Sequence, residues 1–166
     1  MTRLLALALF TSLMAFALSL PGGAHAETRS AYVSQILVQK SERKLHLIGA
    51  GRILRSYDID LGFAPKGHKQ FQGDGRTPEG TYRITHRNPQ SAFYLSLGVS
   101  YPNNADRAYA HARGRSPGGD IFIHGRGPNF PSPGPDWTAG CIAVSDEDMT
   151  EIYRYVRPGI PIVIKP

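Results

Sequence analysis

GDIFIHGRGPNFPSPGPDWTAGCIAV, residues 119–144, holds two apolar runs separated by a stretch too rich in glycine and proline for regular structure. The first run, Gly119 to His124, reads as a buried strand that ends on an imidazole. The second, Ile142-Ala143-Val144, begins directly after Cys141. The 16 residues between His124 and Cys141 form a loop that can double back and bring the two side chains together. Cys141 is also the sole cysteine of the 166-residue chain.

Working outward, residues 33–39, 44–48 and 52–61 alternate apolar and polar side chains with the period of a half-buried sheet, and short polar turns join them. An antiparallel meander is the simplest arrangement. Residues 62–80 contain five glycines and two prolines and read as a loop, with Gly73 to Pro78 as a structural turn. Strands resume at 81–85 and 93–97, and a polar excursion follows that can hold a short helix near 104–112. A second helix starts at Ser145, with Asp148 as the reciprocal capping acid and Met149, Ile152, Tyr153 and Val156 at helical spacing. The acidic run 146–148 suits the positive end of that helix. Pro158-Gly159 stops it, and residues 160–164 read as a final strand. The expected fold is mostly β, a sheet meander or sandwich with one or two short helices.

The first 26 residues have a lone positive charge at Arg3, 17 apolar or small residues from Leu4 to Leu20, a Pro21-Gly22-Gly23 break and Ala24-His25-Ala26. That pattern is a secretory signal with cleavage after Ala26. Retention as an anchor is the alternative, since 17 residues sit at the lower limit for spanning a bilayer. Residues 27–166 then form a single domain in the periplasm or cell envelope, with no further integral membrane segment. Loss of Arg3 takes the formal charge from +6 to +5. A basic exported domain favours anionic surroundings such as a wall polymer. Nucleic acid is excluded as a partner by the lack of basic runs interleaved with aromatics or any known recognition motif.

Exported proteins use cysteine in pairs, so a solitary thiol is either a small buried hydrophobe or a reactive group. His124 at a strand terminus supplies what reactivity needs: a base that takes the thiol proton and leaves a thiolate-imidazolium pair. The amides of Gly140 and Cys141 are candidate donors to an oxyanion, because small residues let a carbonyl approach the main chain. Asp136, Asp120 or the carbonyl of Gly125 could hold the imidazole tautomer. No metal is expected, for the histidines show no H-x-x-x-H spacing and there is no C-x-x-C; no cofactor is implied either. Among the other histidines, His46 reads as solvent-facing, His68 as loop surface and His86 as following a strand.

Ile123-His124-Gly125, the 16-residue gap and Thr138-Ala139-Gly140-Cys141-Ile142 resemble the active-site signature of the L,D-transpeptidase catalytic domain, the YkuD-type family. Residues 73–82, GDGRTPEGTY, are similar to the stretch that precedes a central strand in many such domains. The resemblance implies the YkuD-like fold and action on peptidoglycan stem peptides. By motif, Cys141 is the nucleophile, His124 the base, the Gly125 carbonyl its orienting group, and Gly140 with Cys141 the oxyanion hole. Arg126, Trp137, Thr138 and His111 are the candidate substrate-binding residues. Many members carry Arg or Asn two residues after the cysteine, where this chain has Ala143, which leaves the substrate's carboxylate anchor open; Arg126 and Arg113 are candidates, each also readable as a solvated surface arginine. The DWTxGCIAV form resembles a subgroup that includes an enzyme releasing wall-linked lipoprotein, so transfer to an amine and hydrolysis both stay open, and a catalytically silent wall-binding module is the alternative outside catalysis.

Overall fold

The computed structural model describes residues 32–130 and 134–166, and the leader expected over 1–26 lies outside them. Three strands, β1 (Gln35–Gln39), β2 (Lys44–Gly49) and β3 (Arg52–Asp58), form the expected antiparallel meander. β4 (Gly80–Ser91) is a twelve-residue strand that runs well past the five residues anticipated, and it pairs antiparallel with β5 (Tyr94–Val99). The helix α1 (Asn104–His111) follows, then β6 (Phe122–His124), β7 (Ile142–Ala143), α2 (Asp146–Tyr155) and β8 (Pro161–Lys165).

All eight strands belong to one mixed sheet in the order β3-β2-β1-β8-β4-β5-β6-β7. The last strand in the chain thus lies in the middle of the sheet, parallel to β1 and antiparallel to β4. Ile162 and Ile164 explain its position: both are buried in the one continuous core with Ile36, Val38, Leu47 and Ile84. Each such side chain contributes roughly 1.5–3 kcal/mol by leaving water. α2 lays Met149 and Ile152 onto the same core.

Local sequence accounts for the helix starts. Asn103 and Asp106 make a reciprocal capping box for α1. At α2 only half of the anticipated box forms: the Ser145 hydroxyl accepts from the Asp148 amide, while the Asp148 carboxylate binds that hydroxyl instead of the cap backbone. Three histidines differ from expectation. His46 is buried, with Nδ1 2.8 Å from the hydroxyl of Ser56 on the neighbouring strand. His68 bridges two segments: Nδ1 accepts from the Glu79 amide, so Nε2 donates to the buried Asp106 at 3.0 Å. His86 lies inside β4, edge-on to Phe122. No helix among the described residues is long and apolar enough to cross a membrane.

Candidate active site

β6 and β7 run parallel, with Ile123 opposite Ile142 and His124 opposite Ala143. Side chains alternate across a strand, so Ile123 and Ile142 enter the core while His124 and, two residues before Ala143, Cys141 project from the other face. By that alternation the β6–β7 register puts both on one face of the strand pair, offset by one side-chain repeat of about 7 Å. On the far side of β7, Asp60 exchanges both backbone hydrogen bonds with Ala143 at 2.9 Å, and Phe63 donates to the Thr138 carbonyl. The segment 60–63 therefore clamps the end of the loop that delivers the thiol.

The imidazole is held from two directions. Its Nδ1 lies 2.5 Å from the Gly125 carbonyl, which can only accept, so Nδ1 carries the proton and Nε2 presents a lone pair. Gly125 is in turn fixed by α2: the Asp146 carboxylate accepts from the amides of Arg126 (2.7 Å) and Gly127 (3.0 Å). A Cβ on Gly125 would lie 2.3 Å from that carboxylate, so any larger residue would push it off the two amides it holds. Phe93 and Trp137 lie against the His124 ring, with centroids at 4.6 and 5.8 Å, and Phe130 stacks on both. His124 is only 3% exposed, and burial pulls its pKa below the ordinary 6.5 against a smaller upward pull from the Gly125 contact.

The thiol has different surroundings. Cys141 is half-buried and lines a cleft of about 240 Å³ with Lys69, Gln72, Gly73, Gly118, Gly119, Asp120, Ile121 and Ala139. Its Sγ is 3.4 Å from the Asp120 carbonyl, and no hydrogen bond joins it to His124 among the described residues. Burial raises the thiol pKa above its ordinary 9.0; the backbone at Phe122 and the charge of Lys69 pull it down, and the charge of Asp120 pushes it up. Burial therefore favours the neutral form of both the thiol and the imidazole.

The other candidates are distributed unevenly. The Thr138 hydroxyl donates to the Cys141 carbonyl (2.8 Å) and accepts from the Gly140 amide (3.1 Å). Thr138 is thus a buried brace of the nucleophile turn, and it occupies one of the two amides expected for the oxyanion hole. The Cys141 amide has no acceptor among the described residues, so it stays available. Gly140 is required at its own position: φ is +134° and a Cβ would lie 2.7 Å from the Arg76 carbonyl. Trp137 packs on the imidazole, and Arg126 reaches Asp60 at 3.5 Å. His111 is exposed at the end of α1 and is not among the residues that line the thiol's cleft. Arg113 stacks on Tyr109. Asp136 does not orient His124 either; its carboxylate is taken by Arg43 and the Leu61 amide.

Sequence reasoning missed Lys69, Asp74, Phe93 and the second role of Asp146. Asp74 had a readable signal, an Asp between Gly73 and Gly75, and it gathers the amides of Gln70, Phe71 and Arg76 into a turn. Lys69 had none, since a lysine in a glycine-rich loop is ordinarily solvated.

With this geometry in view, comparison with known proteins is decisive for the family. The profile of the L,D-transpeptidase catalytic domain, YkuD, matches residues 34–164. The chain belongs to that family. YafK of Escherichia coli (strain K12), itself only provisionally named an L,D-transpeptidase, is 29% identical over 144 residues, covering 79% of this chain and 53% of YafK. The helical cell shape determining protein Pgp2 of Campylobacter jejuni superposes with a TM-score of 0.64 at 23% identity, covering 80% of this chain and 47% of Pgp2. Bd1075 of Bdellovibrio bacteriovorus gives 0.57 at 27%, covering 84% of this chain and 50% of Bd1075. The L,D-transpeptidase domain here thus spans about half the length of the curated relatives it matches.

Proposed function

We propose that this L,D-transpeptidase-family protein is an exported cysteine acyltransferase of peptidoglycan, in which Cys141 attacks a stem-peptide amide and His124 carries the proton. The observation that carries the reading is the fixed tautomer of His124: with Nδ1 engaged by Gly125, Nε2 is a lone pair on the same strand-pair face as the thiol. Turning Sγ off the Asp120 carbonyl toward His124 sets up the transfer, and a loose contact before substrate arrives is common for such pairs.

Chemically, Sγ bonds to the carbonyl carbon as Nε2 accepts the thiol proton, and the oxyanion takes the Cys141 amide hydrogen bond. Collapse breaks the C–N bond, and the imidazolium returns its proton to the departing amine. The acceptor, an amine or water, then reverses the sequence on the thioester. The expected donor is a tetrapeptide stem cut after diaminopimelate with release of D-alanine. The leader read over residues 1–26 supports action in the periplasm, and the family's action on the cell wall agrees with an envelope location.

Incubation with disaccharide tetrapeptide, followed by mass spectrometry, tests the proposal. A protein adduct on Cys141 and released D-alanine are expected, with crosslinked dimers if an amine is the acceptor and tripeptide if water is. Whole sacculi bearing attached lipoprotein form the parallel arm for a cleaving enzyme. Turnover that survives in Cys141→Ala would overturn the assignment.

A further inference from the structure

Two lysines are buried in this domain, Lys40 and Lys69, each about 3% exposed at the side chain. An ammonium has three N–H donors and no acceptor capacity. Lys40 spends all three within the fold, on the Gly67 carbonyl (2.6 Å), the Thr77 carbonyl (3.1 Å) and Glu79 (2.8 Å). Lys69 spends two, on Asp74 (2.9 Å) and the Phe71 carbonyl (3.1 Å). Its third donor finds no acceptor among the described residues, and Lys69 lines the cleft that holds Cys141.

Asp74 offsets part of this charge but lies behind it, so the ammonium and not its partner carboxylate meets the cleft. Its two oxygens also accept from three backbone amides, and it is not among the cleft's lining residues. The other cations considered are spent elsewhere: Arg126 on Asp60, and Arg113 on the face of Tyr109. Ala143 is fully buried and offers only a methyl group. Asp120 is the single acid lining the cleft, and its carbonyl already meets the thiol.

We propose that Lys69 is the anchor for the carboxylate of the acyl donor, holding it by the unspent N–H beside Cys141. The proposal rests on the acyltransferase reading above. Anchoring there places the one built cation of the cleft next to the reacting sulfur, in a low-dielectric wall where a charge-assisted hydrogen bond is strongest. The same charge favours the Cys141 thiolate once the proton leaves, consistent with its downward pull on the thiol.

The only cysteine of the chain makes a direct test possible. Rates of Cys141 alkylation are measured with iodoacetate, which carries a carboxylate, and with neutral iodoacetamide, on the full folded chain. Their ratio cancels any change in thiolate fraction. Lys69→Gln, which keeps an amide for Asp74 but loses the charge, is expected to lower the ratio at least about fivefold. Lys40→Gln is expected to leave the ratio as in the wild type while lowering the melting temperature, and Asp120→Asn to raise it. Should Lys69→Gln not fold, protection of wild-type Cys141 from iodoacetamide by D-alanine, but not by D-alaninamide, supports the same site, and equal protection by both overturns it. A ratio unchanged in Lys69→Gln removes the anchor even if muropeptides turn over. A lowered ratio in a protein that processes no muropeptide keeps the carboxylate site and removes the acyltransferase reading.

Discussion

The two halves of the site are built on opposite principles. The imidazole is sealed: 3% exposed, pinned by Gly125 through Asp146, and covered by Phe93 and Trp137. The thiol is only half-buried, lining a cleft whose charged walls are Lys69 and Asp120. Sealing fixes the geometry of the base at the cost of its charged form, while the cleft leaves the sulfur reachable. The difference teaches that, on the proposed acyltransferase reading, proton transfer accompanies attack, because burial favours the neutral form of both partners.

The largest effect expected from breaking this arrangement is on the open side. Cys141→Ala removes the proposed nucleophile and should lower turnover by about 10⁴-fold or more, with an unchanged melting temperature, as read by D-alanine release and calorimetry. An equal loss of stability would mean that the sulfur serves packing rather than chemistry.

On the sealed side the effect is smaller and indirect. Asp146→Ala strips the acceptor from the Arg126 and Gly127 amides and loosens the Gly125 carbonyl that sets the tautomer. A fall in kcat of about tenfold with KM little changed is expected, since geometry rather than binding is lost. A variant with raised KM and intact kcat would relocate Asp146 to substrate binding.

How far the sequence disclosed this arrangement depends on whether the relevant partners are near in the chain. Strand alternation gave β1 to β3, and cap chemistry placed α2, because those forces act within a few residues; the Asn103–Asp106 box that starts α1 was equally local but went unread. The slot for β8 between β1 and β4 was hidden, since nothing in PIVIK states which edges its amides will meet. His124, Cys141 and the Gly125 carbonyl were legible because a strand end, a glycine turn and a contiguous peptide carry their own geometry. Asp136 misled for the converse reason. It is close to His124 in the chain, yet a φ of +50° and the reach of Arg43 from β1's following turn direct its carboxylate elsewhere. Lys69 was invisible until Asp74 and the Phe71 carbonyl, three-dimensional neighbours within one irregular loop, buried it.

Unsealing sharpens the contrast further. Phe93→Ala opens the face of the His124 ring and should move its pKa up toward 6.5, because burial is the principal cause of the depression. The acid limb of the kcat/KM profile then shifts to higher pH, and the shift is read against Tyr94→Phe, whose hydroxyl contacts only Thr150. An unmoved limb would assign that titration to another group.

The smallest effect is on stability, and its sign follows from the same depression. In the unfolded chain His124 takes a proton near pH 6.5; in the folded protein it resists protonation until a lower pH. Between those values the unfolded state binds more protons, so stability falls as pH descends from about 6.5 to the folded pKa, and is fully present above 6.5. A His124→Gln variant removes this contribution, so its stability from urea midpoints should drop less than the wild type's between pH 7 and 5. Parallel curves for the two proteins would show that the imidazole is not sealed at all, and the difference between the two walls would vanish with it.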